Sequence, residues 1–120
     1  MKRDMDLIRE ILIVIENHEH GFAPDKLKID DYNDEQIGFH VLLMGDYGLL
    51  RVNDFTRMDS KSPFASPGRI TWDGYEFLEL SRNSQIWQKA KDIITQKGVG
   101  LPFDMIKALL TTLIKGTFDL

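Results

Sequence analysis

Residues 34–78, DEQIGFHVLLMGDYGLLRVNDF…RITWDGYEFL, constrain the fold more than any other part of the chain. Asn33 precedes a run in which Ile37, Val41 and Met44 recur at helical spacing, and Gln36 stands where a capping-box partner belongs. Gly48 supplies a left-handed stop. LLRVNDF then reads as a strand, residues 59–68 (DSKSPFASPG) as a Ser/Pro/Gly loop, and RITW as the return strand. Thr71 can cap a further helix that runs to about Arg82.

A helix closed by Gly-Leu-Leu, two strands around a polar loop, and a helix opened by Thr-x-x-Gly outline a winged helix. That fold serves recognition of DNA or of a partner protein more often than catalysis. The rest of the chain adds helices. Asp4 can cap a first helix whose apolar stripe is Met5, Ile8, Leu12 and Ile15, with Leu7, Ile11 and Val14 beside it and Gly21 as the stop. Ile13 falls on its polar face. Leu27 and Ile29 alternate with charge and predict a short edge strand from Leu27 to Asp31. Ser84 opens a helix closed by Gly98, with Trp87, Ala90 and Ile94 as its stripe. Gly98 and Gly100 form the joint to a last helix that has Pro102 at its first position and Phe103, Ile106, Leu110 and Leu113 on its apolar face.

Length and composition narrow the class further. A chain of 120 residues is one domain by size and can bury a core without staples. It has no cysteine, which excludes disulfides and thiolate metal sites and fits a reducing cytoplasm. The longest apolar run in the first helix, Ile11 to Ile15, is too short for a signal peptide, and no stretch approaches a membrane span. The net charge of −4 is uneven. Met1–Gly48 holds five Lys/Arg against eleven Asp/Glu, whereas Leu49–Trp72 holds four against two. The basic footprint of a nucleic-acid binder is therefore missing outside the hairpin.

MKRDMDLIR, GDYGLL, ITWDGYEFL, NSQIW and GVGLPFDMIKAL, in that order along nearly the whole chain, resemble a family of small bacterial and phage proteins of unknown function. Its members begin MKRDMDLIR and carry an LTW-x-G-x-x-FL element before an IW helix. The resemblance implies a winged-helix-like fold with a helical extension and a setting in prophages or mobile elements. It implies no activity.

Each candidate site has a structural alternative. Opposite the Ile37–Val41–Met44 stripe the second helix carries Asp34, Glu35, Gly38, Phe39, Leu42, Leu43 and Asp46, with no Arg, Lys or Asn to read a base edge. Acids there would repel phosphates. Phe39, Leu42 and Leu43, together with Ile13, read as a partner or dimer surface, or else as a face covered by the C-terminal helices. In the hairpin, Arg57, Lys61 and Arg69, with Arg51, could track a DNA backbone or minor groove; a solvated edge protected by charge is the alternative. Glu16, His18 and His20 have metal-ligand chemistry, but an i, i+2 pair on a helix points to different sides. His40 reads as a half-buried packing histidine, and Trp72 and Trp87 as core anchors. Asp25, Asp30, Asp31, Asp34 and Glu35 lack the spacing of a calcium loop and read as a solvated surface. No catalytic triad or phosphate loop is present.

The expectation is an α+β, winged-helix-like domain: helix, short strand, helix and two-stranded wing, with residues 84–120 as two C-terminal helices on the same core. The expected function is a non-enzymatic, cytoplasmic protein-interaction module, binding an unknown protein or itself as a homodimer. A transcriptional regulator contacting DNA through Arg57, Lys61 and Arg69 is the alternative, and a hydrolase or nuclease built on the acids ranks below both. No catalytic residue, metal, cofactor, small-molecule ligand or membrane is expected.

Overall fold

The computed structural model describes residues 1–98 and 100–118. Val99, within the glycine joint, lies outside the described residues. Five helices and one two-stranded antiparallel sheet make an α+β chain: α1 (Met5–Glu16), α2 (Asp34–Tyr47), β1 (Leu50–Asp54), β2 (Ala65–Ile70), α3 (Trp72–Ser81), α4 (Ser84–Lys97) and α5 (Phe103–Phe118). The chain divides into two compact units, Met1–Tyr75 and Glu76–Leu120.

In the first unit the caps follow local chemistry. Asp4 accepts from the Leu7 N–H and opens α1. Asn33 and Gln36 form a reciprocal capping box on α2. Gly48 closes α2 at φ 101°, a conformation that a side chain would strain. α1 ends at Glu16, earlier than Gly21: Asn17 makes the last bond of α-helical span, to Ile13, and His18 then donates to Ile15 only three residues back. Leu7, Ile8, Ile11, Leu12 and Ile15 from α1 and Ile37, Val41 and Met44 from α2 are buried.

The hairpin forms as expected, with shifted bounds. β2 begins at Ala65, inside the segment read as loop. It tolerates Pro67 and Gly68 because the ladder is irregular there, its register shifting between Arg51 and Val52. One face packs on α2. A Cβ on Gly38 would lie 3.1 Å from Phe64 Cβ, and one on Gly45 would collide with Val52. These two glycines, seven residues apart, let the strands approach the helix axis closely.

The expected strand Leu27–Asp31 does not form. Leu27 is buried, the Tyr32 N–H bonds to the Ile29 carbonyl at 3.3 Å, and Asp31 sits at φ 73°. A left-handed residue breaks the extension that a ladder requires, and aspartate tolerates that conformation better than most side chains. What reaches the sheet instead is Ala23, whose N–H donates to the Gly68 carbonyl at 2.7 Å.

Thr71 joins the elements. Its hydroxyl donates to the Gly48 carbonyl and accepts from the Gly74 N–H at 3.0 Å, while its own N–H donates to the Leu49 carbonyl at 3.1 Å. A Cβ on Gly74 would collide with the Leu49 carbonyl oxygen. The Thr-x-x-Gly element is thus a cap and a close approach in one.

The second unit packs around Phe77, with Trp87 edge-on at 6.1 Å and Phe103 tilted at 4.7 Å between ring centres. Leu78, Ala90, Ile106 and Leu110 are also buried. Asn83 caps α4, and Gly98 closes it. Pro102 precedes α5, its carbonyl accepting from Met105 and Ile106. Trp87 is a core anchor as expected; Trp72 is not, being 80 % exposed. Gly74, Phe77, Leu78 and Ser81 form the buried stripe of α3, and Trp72 stands off it.

Thr71→Val should lower stability by about 2 kcal/mol, since it removes a cap and orphans a carbonyl. Thr71→Ser should cost less than about half of that. Gly74→Ala should be at least as damaging, because the obstacle is backbone. Urea midpoints of the three variants check this order.

Candidate functional site

The first unit holds two features with chemistry beyond packing, a polar cluster at its N-terminus and an exposed aromatic corner at the end of α2. In the cluster, the Asp4 N–H donates to His40 Nε2 at 2.8 Å, and His40 Nδ1 lies 2.8 Å from the Gln36 carbonyl. These partners require the neutral ring with its proton on Nδ1. The Tyr32 hydroxyl donates to Asp4 Oδ2 at 2.8 Å. His40 is fully buried, deeper than its sequence position suggested. Burial, then the bond and charge of Asp4, push the Tyr32 phenol up from 10.0 to about 12. The cluster pins the start of α1 to α2. Both ring nitrogens of His40 are engaged within the unit.

The residues singled out in the sequence fall in different places. Phe39, Leu42 and Leu43 are half-buried, as is Ile13. Leu42 lies four residues after Gly38 and three before Gly45, on the helix face that the hairpin covers. Phe39 and Leu43 continue instead along the stripe that ends at Tyr47. Arg57, Lys61 and Arg69 are all exposed but are not gathered together. Arg69 lies opposite Arg51 on the ladder, and its guanidinium donates to the Ile70 carbonyl at 3.3 Å. Arg57 and Lys61 belong to the loop at the far end, separated from Arg69 by roughly 13 Å of strand at about 3.3 Å per residue. Lys61 borders a shallow hollow of about 270 Å³ with Asp34 and Glu35 of the first turn of α2. The Ser62 hydroxyl donates to Glu35 there at 2.7 Å, so this part of the wing lies against carboxylates.

The histidines and acids disperse. His18 Nδ1 lies 2.8 Å from the Phe22 carbonyl, and His20 pairs with Glu19 at 3.2 Å. Asp30 and Asp31 share a surface hollow with Asp6, Glu10 and Lys28. Among the described residues no group of three or more His, Asp or Glu side chains could hold a metal ion.

The sequence reading missed the exposed apolar set. Tyr47, Trp72 and Tyr75 are 43, 80 and 44 % exposed, and Phe55 and Met58 are exposed on the hairpin. Tyr47 and Trp72 adjoin the two residues joined by the Thr71–Gly48 hydrogen bond. Tyr75 lies one turn beyond Trp72. The helical phase of Gly74, Phe77, Leu78 and Ser81 carried the signal, because it turns residue 72 away from the buried side.

Comparison with known proteins follows the same span. The family described as "Hypothetical protein (DUF2513)" matches residues 2–100. The chain belongs to this family. An uncharacterized protein of Haemophilus influenzae is 32 % identical over 117 residues, covering 95 % of this chain and 96 % of the relative. No solved structure matches the chain. The DUF2513 match takes in the whole polar cluster and the whole aromatic corner. Among the described residues, no helix is long and apolar enough to cross a membrane.

The Tyr32 shift has a sign. A phenol whose pKa is raised in the folded protein contributes stability that is complete below about pH 10 and is lost as pH rises through about 12. Tyr32→Phe should therefore be less stable at neutral pH, through the lost bond to Asp4, yet should decline less steeply between those two limits. Urea unfolding across the alkaline range, with tyrosinate absorbance to follow ionisation, measures both effects.

Proposed function

We propose that this DUF2513 protein is a non-enzymatic protein-interaction module whose first unit is a winged-helix-like scaffold, α2 leading through Gly48 into a two-stranded wing. The observation that carries this reading is the exposure of large apolar side chains, Trp72 at 80 % and Met58 completely, on a unit with nine Lys/Arg against fourteen Asp/Glu, a net charge of −5. Apolar side chains offered to solvent beside a net negative charge suit a protein partner better than a polyphosphate. The buried polar cluster is already satisfied by its own members, which leaves catalysis without a poised group. The prophage setting implied by the sequence resemblance, and a cytoplasmic location, are compatible with such a module.

One observation favours the alternative, a regulator that contacts DNA through its wing. Arg51 and Arg69 face each other across the ladder, a like-charge pair that costs stability and that a phosphate would relieve. Against it, Arg57 and Lys61 lie at the other end of the hairpin, and Lys61 borders Asp34 and Glu35.

Selection from a random duplex library at physiological salt discriminates the two. The expected result is no enriched operator and binding no tighter than about micromolar, the range of non-specific association. A defined site bound at about nanomolar strength, and lost on charge reversal at Arg57, Lys61 and Arg69, would establish the regulator instead.

A further inference from the structure

The interaction reading leaves the contact surface open, and the hairpin offers one made of main-chain atoms. β2 borders β1 on one side, and among the described residues no strand borders β1 on the other. An open strand edge is a template for a further strand, and a sheet of only two strands gains from one. The ladder shows which groups point outward. The Phe55 N–H donates to the Phe64 carbonyl at 3.2 Å, and Asn53 stands two residues before Phe55 in the same register, so both turn their main chain toward β2. Val52 and Asp54 turn theirs outward. The open stretch is closed at both ends. The next outward donor, the Thr56 N–H, is taken by the Asp54 carboxylate at 2.9 Å, and the preceding outward residue, Leu50, is buried. Arg51, Asn53 and Phe55 line one face of this edge and are all exposed. Val52 points to the other face, where it meets α2 at Gly45.

A short edge with closed ends suits few strands, and β1 of a second copy matches it by construction. Its outward residues have the same spacing, and antiparallel pairing about a twofold axis sets outward residues opposite outward residues. With Leu50 buried, the register that engages both open residues sets Val52 opposite Asp54 of the second copy and Asn53 opposite its own mate. Each outward N–H and C=O of Val52 and Asp54 then gains a partner. Arg51 faces Phe55 of the second copy in a non-hydrogen-bonded pair, where Cα atoms lie about 4.5 Å apart and side chains are closest. An arginine opposite an exposed aromatic ring is attracted to it, and no like charges oppose each other in this register. The acidity of the first unit works against the pairing, so the contact is weak and is favoured by added salt.

We propose, building on the interaction-module reading, that β1 pairs antiparallel with β1 of a second copy, centred on Asn53. The two hairpins join into one continuous sheet across the twofold axis.

The chain has no cysteine, so introduced ones report the register. Asn53→Cys, oxidised with glutathione disulfide, should give a covalent dimer, because directly opposed residues of a non-hydrogen-bonded pair lie within reach of a disulfide. Arg51→Cys mixed with Phe55→Cys should cross-link faster than either alone, since each lies roughly 13 Å along the strand from its own mate. Asp59→Cys, exposed on the loop, measures chance encounter. Asn53→Lys sets like charges on the axis and should weaken dimerisation about tenfold or more in sedimentation. Asn53 is exposed, so this variant should keep the thermal midpoint of the dilute wild type. A wild-type chain that stays monomeric up to about 1 mM would overturn the inference. So would Asn53→Cys cross-linking no faster than Asp59→Cys, or a dimer that Asn53→Lys leaves intact. A strand of a different protein found on β1, with no self-pairing, would end this proposal and leave the interaction-module reading standing. Recovery of a DNA operator would remove that reading as well.

Discussion

The Thr71 hydroxyl is the constraint on which the first unit depends. It donates to the Gly48 carbonyl at the end of α2 and accepts from the Gly74 N–H at the start of α3. The Thr71 N–H meanwhile holds the Leu49 carbonyl at the entrance to β1. A hydroxyl can donate and accept at once, which an apolar isostere cannot. The buried pair Leu50 and Ile70, next to this junction, starts the hairpin ladder in a defined register. Gly74 is required for the same reason, since the carbonyl of Leu49 occupies the space a side chain would need.

A second fixed point lies at the other end of α2. Asp4 caps α1, donates its backbone N–H to buried His40 and accepts from Tyr32, so one residue orders the chain start, α1 and the segment before α2. Between the two points α2 is enclosed on more than one side. Ile37, Val41 and Met44 are buried in the core, and Gly38 and Gly45 receive the hairpin. This is why α2 carries apolar residues around much of its circumference. Phe39 and Leu43 remain half-buried on the stripe that runs on to exposed Tyr47.

Much of this was legible in the sequence because it is local. Caps at Asp4, Asn33 and Thr71, stops at Gly48 and Gly98, and a hairpin between α2 and α3 all depend on residues a few positions apart. The failures share a different cause. The strand expected from Leu27 to Asp31 needed a partner strand elsewhere, and Ala23 makes a backbone bond to β2 instead. The loop expected at residues 59–68 lost its second half to β2, because an irregular ladder tolerates Pro67. Trp72 was read as an anchor from its size, whereas its position relative to Gly74 put it outside.

The sequence by itself determined the α+β class, the caps at Asp4, Asn33 and Thr71, the stops at Gly48 and Gly98, and the acidic balance of the first unit, since propensity, capping and charge are properties of neighbouring residues. Only the tertiary structure decided which apolar side chains remain in water. Arg57, Lys61 and Arg69 are close in sequence yet spread along the hairpin. Gly48 and Thr71, which adjoin Tyr47 and Trp72, are distant in sequence yet bonded to each other. The physical reason is that a hydrogen bond between residues 71 and 48 brings together two chain segments whose separation no local pattern encodes.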